Sequence, residues 1–206
     1  MADFQVAYSA TAQNEGGYSL NPSDTGGETY KGISRKNWPK WGGWKYVDGC
    51  KGQLVAPPTY GTSGYRNWVA YLNRSLEAIN ALQALVQAFY RDNFWKRLGE
   101  LNSQDVANFV YDKDVNTGSM GSRWLQAACG VNVDGVVGAI TIATANKINP
   151  LTLLETMQDD AVAFYLHCAQ KPGQAQFWKS WIGRVGLSPE KLAQANAEAK
   201  EKGIIA

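Results

Sequence analysis

Histidine is almost absent from this sequence, since His167 is the only one in 206 residues. A single histidine excludes mechanisms that need a histidine pair and argues against a zinc site. A Ser-His or Cys-His dyad would have to use His167, which lies in a helical pattern beside Cys168. We therefore interpret His167 as an ordinary helix residue and expect neither a metal nor an organic cofactor.

Cysteines are few as well, and Cys50, Cys129 and Cys168 are far apart and odd in number. Neither a disulfide framework nor a CxxC-type metal site is indicated by this spacing. The sequence predicts reduced thiols that are mostly packed.

Long apolar runs are missing, because no stretch of about 18 apolar residues occurs. The first twenty residues also lack a basic segment followed by an apolar one, so we expect no secretory signal and no membrane insertion. The formal net charge of +2 is too small to indicate nucleic acid as a partner. With 45% hydrophobic and 18% charged residues, the composition is that of an ordinary globular protein.

Helical patterns dominate what is present. Helix starts are predicted after the capping residues Asp3, Ser103, Asn149 and Ser188, with proline following the last two. An apolar stripe that begins at Leu82 predicts another helix. The glycine-rich segment after Glu15 predicts turns and a short β-hairpin, so the fold class is mainly α.

The segment 37–64 is rich in Trp, Gly, Pro and Tyr and predicts a long irregular excursion. Its aromatic side chains argue against disorder. Two interpretations stay open for them: stacking on sugar rings, or packing on each other as a satellite cluster.

The chemistry is concentrated in residues 14–34, NEGGYSLNPSDTGGETYKGIS. A glycosidase needs an acid and a base on either side of the bond that it cleaves. Glu15, at a predicted helix end beside Tyr18, is a candidate acid. Partial burial would raise the pKa of its carboxyl group and keep it protonated. Asp24 is a candidate base across the hairpin, and Glu28 competes with it for this role.

The run EGGYSLNPSDTGGETYKGIS resembles the signature EGGY...DPxDxGGxTxxGIS of glycoside hydrolase family 108, whose members are N-acetylmuramidases related in fold to phage lysozymes. FYRDNFWKRL, the block YDKDVNTGSMGSRWLQAACGVNVDGVVGAIT and FWKSWIGRV also resemble segments of this family. The four blocks together cover nearly the whole chain in order.

The resemblance implies that Glu15 is the catalytic acid. The spacing from Glu15 to Asp24 also resembles the Glu and Asp pair of lysozymes from T-even phages, with Thr29 one residue closer than their threonine. It further implies substrate contacts by Tyr18 and Tyr30, and places two more residues near the cleft, Asp112 and Asn116. A helix-capping role for Asn116 is an equal alternative.

For the whole chain the resemblance implies a lysozyme-like catalytic region at 1–110, with an aromatic insertion at 36–65, and a helical peptidoglycan-binding region at 111–206, packed together as one unit. The expected reaction is hydrolysis of the β-1,4 bond between N-acetylmuramic acid and N-acetylglucosamine by a monomer. Without a secretory signal, the expected protein is a phage or prophage endolysin that is made in the cytoplasm and reaches the wall through a holin, or else a secretion-linked enzyme.

Two other functions stay open. A lytic transglycosylase needs one glutamate and leaves an anhydro sugar in place of a free reducing end. A wall-binding or secretion-helper protein would need no catalysis, and relatives have carried the label of secretion activator. The DGVVG turn resembles a loop of peptidoglycan-binding modules, although backbone geometry explains its glycines equally well.

Overall fold

The computed structural model of the chain describes residues 1–12, 16–21 and 26–205. The fold is mainly α, with a small antiparallel sheet of order β1-β2-β3 after the first helix, as predicted. The α-helices are α1 (Phe4–Ala12), α2 (Trp44–Gly52), α3 (Ser63–Glu77), α4 (Asn80–Tyr90), α5 (Gln104–Thr117), α6 (Met120–Ala128), α7 (Ala139–Ala145), α8 (Pro150–Ala169), α9 (Trp178–Gly183) and α10 (Pro189–Glu201). The strands are β1 (Tyr18–Leu20), β2 (Glu28–Tyr30) and β3 (Ile33–Ser34). A π-helical turn covers Arg91–Trp95, and 3-10 turns cover Leu98–Glu100 and Ala175–Phe177.

Side-chain caps confirm four predicted helix starts. Asp3 Oδ1 accepts hydrogen bonds from two backbone amides in the first turn of α1, at 2.6 and 3.2 Å. Ser103, Asn149 and Ser188 accept from backbone amides of α5, α8 and α10 at 3.3, 2.9 and 3.3 Å. Each cap satisfies an amide that has no partner inside its helix, which is why short polar residues mark helix starts in a sequence.

The prediction of one irregular excursion over 37–64 is wrong, because α2 lies inside it. Trp44 and Val47, three positions apart, are buried on one side of this helix. A further helix, α3, begins at Ser63, where Thr62 Oγ1 accepts from the amide of Tyr65 at 3.2 Å. The many glycines and tryptophans in this segment obscure the helical spacing of the apolar residues of α2. The helix is stabilised by the burial of Trp44.

The aromatic side chains of this segment pack on one another and on α4. The Trp41 ring lies 5.1 Å from the Trp44 ring, between centroids, and the Trp38 ring lies 4.9 Å from that of Phe89. Trp44 Nε1 donates to the Trp38 carbonyl oxygen at 2.8 Å. These contacts favour the satellite-cluster interpretation, although Trp38 keeps 41% of its surface exposed.

The chain divides into two compact units, Tyr8–Phe94 and Met1–Ala7 with Trp95–Ala206. The first contains the sheet with α2, α3 and α4, and the second contains α5 to α10. The expected division into functional regions at residue 110 stays a prediction. The three cysteines are free thiols, with Cys129 buried and the others half-buried. No helix in the described part of the chain is both long and apolar enough to cross a membrane.

Candidate active site

The small sheet that follows the proposed acid is held by a tight turn. β1 pairs with β2 in the register Tyr18↔Tyr30, and β2 pairs with β3 through Tyr30↔Ile33. The two residues between β2 and β3, Lys31 and Gly32, have φ values of 45° and 76°. Two positive φ angles in a two-residue loop are typical of a type I′ hairpin turn, whose twist suits the strands that it joins.

Strand alternation separates the candidate residues of β2 onto opposite faces. Glu28 and Tyr30 share one face with Tyr18, whereas Thr29 lies on the other. On its own face Thr29 pairs with Ser19 and Ser34, so three hydroxyl-bearing residues lie side by side across the sheet. Thr29 is half-buried, which leaves part of it open to solvent.

Glu28 is the centre of a charged cluster that we call the Glu28 cluster: Tyr18, Glu28, Arg35, Asp48 and Lys51. Its Oε1 accepts hydrogen bonds from Tyr18 OH at 2.9 Å and from Lys51 Nζ at 2.6 Å. Its Oε2 forms an ion pair with Arg35 Nε at 2.6 Å. Arg35 in turn donates from both terminal nitrogens to the Asp48 carboxylate, at 3.0 and 2.6 Å.

Glu28, at the centre of this cluster, is largely buried. Only 14% of the Glu28 side chain is exposed, against 54% for Asp48. Burial and the neighbouring Glu28 carboxylate raise the pKa of the Tyr18 hydroxyl, so it remains a hydrogen-bond donor at every working pH. Both oxygens of Glu28 are therefore occupied by donors or cations that belong to the protein.

The predicted substrate contacts Tyr18 and Tyr30 lie in the core of their unit. Tyr18 is 4% exposed and Tyr30 is 0% exposed. Burial raises the pKa of Tyr30 to about 12, and its hydroxyl oxygen accepts from Gln83 Nε2 at 3.1 Å. Little or none of either ring is exposed, so both tyrosines support the sheet, and their contact with a substrate stays a prediction.

Glu15 and Asp24 lie outside the described residues, and so does the prediction that Glu15 closes the first helix. The chain just after Glu15 is anchored to α3: the Tyr18 amide donates to Asn73 Oδ1 at 2.7 Å. A side chain at Gly17 would overlap the Asn73 amide. The second glycine of the EGGY motif is therefore required for this close approach.

Asp112 belongs to the other unit and is held between two cations. Its Oδ1 accepts from an Arg184 terminal nitrogen at 2.8 Å, and its Oδ2 from Lys113 Nζ at 2.9 Å. Burial alone would raise the pKa of Asp112, but Lys113 and Arg184 hold it below its usual range. Asn116 Nδ2 donates to the Asp112 carbonyl oxygen at 2.5 Å, within the last turn of α5. Asn116 is exposed, and this hydrogen bond holds its side chain beside Asp112.

Sequence reasoning missed the supporting residues Arg35, Lys51 and Asn73. Arg35 could have been found from the type I′ turn, because the turn sets the strand register. Extending that register past Thr29↔Ser34 places Arg35 opposite Glu28. The Arg35 amide indeed donates to the Glu28 carbonyl oxygen at 2.8 Å. Lys-Gly is a weak turn signature next to Asn-Gly, so the register was not evident. Lys51 and Asn73 come from α2 and α3, and no local pattern marks them.

The DGVVG turn is shaped by α6. Gln126, 2% exposed, accepts from the Gly135 amide at 2.7 Å and donates to Asp134 Oδ1 at 2.7 Å. Gly135 has a φ of 81°, and a side chain there would crowd Ser119. Backbone geometry thus explains this glycine, while Val136 remains 65% exposed at the tip.

Asp114, two residues after Asp112, joins α5 to the start of α6. Its carboxylate accepts from the Ser122 amide at 2.9 Å and from the Ser122 hydroxyl. A side chain at Gly121 would collide with the Val110 carbonyl oxygen, so the two helices approach closely here. Asp114 is 8% exposed and acts as a cap supplied by a neighbouring helix.

Stability is expected to depend on pH through this carboxyl. Burial raises the pKa of Asp114 to about 6 from its ordinary 3.8, although the Ser122 hydrogen bonds oppose the shift. The folded protein then holds this proton more tightly than the unfolded chain does, so stability falls as pH rises from about 4 to 6. The loss amounts to about 3 kcal/mol and is complete above that range.

Urea unfolding at pH 4 and pH 7 measures this effect in the parent and in Asp114→Asn. The amide keeps an acceptor for the Ser122 amide and cannot ionise. The variant should therefore gain stability relative to the parent at pH 7 and match it near pH 4. An unchanged difference between the two proteins at both pH values would show that Asp114 does not titrate in this range.

Comparison with known proteins places these features in a family. The family model of glycosyl hydrolase 108 matches residues 8–118, and a second model, "Predicted Peptidoglycan domain", matches residues 120–186. No curated protein matches the chain. Among solved structures the chain is similar to "Structure of Brucella abortus SagA", at 24% sequence identity and a TM-score of 0.57, covering 94% of each chain. This likeness shows a shared fold.

Proposed function

The chain belongs to the glycosyl hydrolase 108 family, and from that membership we propose how it cleaves peptidoglycan. It is a muramidase-type glycoside hydrolase with a peptidoglycan-binding domain. We propose Glu15 as the proton donor for the β-1,4 bond between N-acetylmuramic acid and N-acetylglucosamine. The observation that carries this proposal is the family match over residues 8–118, which includes the whole acidic motif.

Asp24 is our choice for the second acid, and the Glu28 cluster supports it. A general base must offer a free oxygen lone pair to a water molecule near the substrate. Glu28 already contacts Tyr18, Arg35 and Lys51, and accepting a proton would weaken all three contacts. Glu28 therefore acts as a structural anchor for β2, four residues after Asp24.

In the proposed reaction Glu15 protonates the oxygen that leaves as the bond breaks. Asp24 activates or orients a water molecule, or stabilises the positive charge that develops on the sugar ring. The hydroxyl of Thr29 helps to hold the water, because its face of β2 is opposite the charged cluster and partly open to solvent. These steps are proton transfer and electrostatic stabilisation.

We assign Asp112 and Asn116 to substrate contacts outside the reacting centre. Asp112 stays ionised between Lys113 and Arg184, and such a carboxylate orients its neighbours better than it exchanges protons. The exposed amide of Asn116 can donate a further hydrogen bond to a polar substrate group. The domain at 120–186 would hold the protein on the wall between cleavage events.

We further propose that the protein is a phage or prophage endolysin that reaches the wall through a holin. A secretion-linked wall enzyme would need the same chemistry. Expression of the gene with and without a holin, with culture turbidity as the measure of lysis, distinguishes the two routes. Lysis that requires the holin supports the endolysin.

Product analysis tests the reaction itself. Purified peptidoglycan is digested, and the fragments are examined by mass spectrometry before and after borohydride reduction. Hydrolysis consumes one water for each bond that is cleaved and leaves a reducible N-acetylmuramic acid end. An anhydro end that resists reduction would instead identify a lytic transglycosylase. Intact walls that still sediment with the protein would identify a wall-binding protein without catalysis.

A further inference from the structure

A groove lies between α8 and α10, within the unit that contains both helices. It has a volume of about 340 Å³, near the lower end of the range for small-molecule sites. Four residues of each helix line it at the spacing i, i+3, i+4 and i+7, which is one helical face. They include Asp159, Ala163 and Leu166 from α8, and Lys191, Ala195 and Glu198 from α10.

Small side chains produce this gap. Ala163 and Ala195 each lie in the middle of their helical face. Leu166 and Ala195 are buried, at 4% exposed each, so the floor is apolar and well packed. Ala163 is exposed and lies on the open side. The groove is therefore a slot with an apolar floor, which suits methyl groups and short aliphatic chains.

Charged groups of both signs lie at the edge of the slot. Lys191 Nζ donates to Asp159 Oδ1 at 2.8 Å, with side chains 31% and 66% exposed. One helical turn beyond Ala195 on α10, Glu198 Oε1 pairs with Lys202 Nζ at 3.5 Å, and the Glu198 side chain is 49% exposed. Exposed ion pairs of this kind contribute little to stability, so a ligand with both an ammonium and a carboxylate group can replace a partner in each pair.

Aromatic rings are missing from this groove, because none of the described residues that line it carries one. Sugar rings usually stack on aromatic side chains, which offer a flat apolar face. The stem peptide of peptidoglycan has the complementary chemistry: alanine methyl groups, free carboxylates and the amine of a diamino acid. Its chemical pattern matches that of the groove, whereas a neutral glycan does not.

We propose that the α8–α10 groove binds the peptide stem of peptidoglycan. The proposal rests on the wall as the substrate of the protein and adds a peptide site to it. α8 lies within the peptidoglycan domain at 120–186, while α10 lies beyond both family matches. The last helix thus completes a site that the domain alone would lack: Lys191 meets a stem carboxylate, and Asp159 and Glu198 meet the stem amine.

Calorimetric titration with soluble stem tetrapeptides, L-Ala-γ-D-Glu-X-D-Ala with X as diaminopimelate or lysine, tests the site. At least one form should bind the parent protein. Lys191→Gln should weaken binding about tenfold, because a charge-assisted hydrogen bond is lost. Ala163→Phe should abolish binding by filling the slot from its exposed side. Lys179→Gln is the control, because this exposed lysine of α9 does not line the groove.

Three outcomes would overturn the proposal. The first is that neither tetrapeptide binds the parent at millimolar concentration. The second is that all variants bind with the Kd of the parent, and the third is that chitotetraose competes for the groove. Thermal melting of each variant separates lost binding from lost folding. Cleavage of peptide-free glycan strands is assayed in parallel and should be equal in parent and variants. A parent that binds peptide and cleaves no glycan would refute the proposed reaction and leave the peptide site standing.

Discussion

Replacing Glu15 by glutamine is expected to lower the rate of peptidoglycan hydrolysis by about 10³-fold, within the range that general acid catalysis contributes. Glutamine has nearly the shape of glutamate and has no proton to give to the leaving oxygen. The substrate should still bind, so KM should change little while kcat falls. Release of reducing ends from purified walls measures the rate, and sedimentation with the same walls measures binding.

Gln5→Glu is a useful companion variant, because it adds a carboxylate to the exposed side of α1 and should leave the rate unchanged. The proposal for Glu15 is contradicted if Glu15→Gln keeps more than about a tenth of parental activity. Loss of both wall binding and activity would point to a misfolded variant, which circular dichroism detects.

Replacing Glu28 by glutamine is expected to destabilise the protein by about 3 kcal/mol, in the lower part of the range for breaking a buried ion pair. The substitution leaves Lys51 and Arg35 beside a neutral amide, and both cations are only 29% and 30% exposed. Tyr18 keeps an acceptor in the amide oxygen. Urea unfolding at pH 7 measures the change in free energy.

Asp48→Asn is the matched control, since Asp48 pairs with the same arginine from the solvent side. With 54% of its side chain exposed, its loss should cost under about 1 kcal/mol. Equal effects of the two substitutions would show that burial of Glu28 contributes nothing to the cluster. A fully active, fully stable Glu28→Gln protein would remove Glu28 from the architecture of the site.

The same variants decide between the two candidate bases. Asp24→Asn should abolish activity without changing the free energy of unfolding, whereas Glu28→Gln should change stability first. If Glu28→Gln at a temperature where it remains folded loses activity as completely as Glu15→Gln, the base is Glu28. The choice of Asp24 would then be wrong.

Much of the helical architecture could be predicted because its signals are local. Asn149 with Pro150, and Ser188 with Pro189, combine a cap and a proline within two residues, and the structure begins α8 and α10 there. α2 could not be predicted, since its buried residue Trp44 packs on the Trp41 ring, which in turn lies against Phe89 of α4. Tertiary burial outweighs local composition in that helix.

The order of residues alone determined the class of chemistry: one histidine and no metal-type cysteine pattern excluded most mechanisms, and an acidic motif with glycines in a family-like order indicated a glycosidase. Only the tertiary structure decided that Glu28 is bound by other side chains. Tyr18 reaches Glu28 from β1, Lys51 from α2, and Arg35 from the position just after β3, and such contacts depend on how segments meet in space. The carboxylate group is chemically the same in a solvent-exposed turn and in an ion-paired cluster. Its neighbours in the folded protein determine which role it takes.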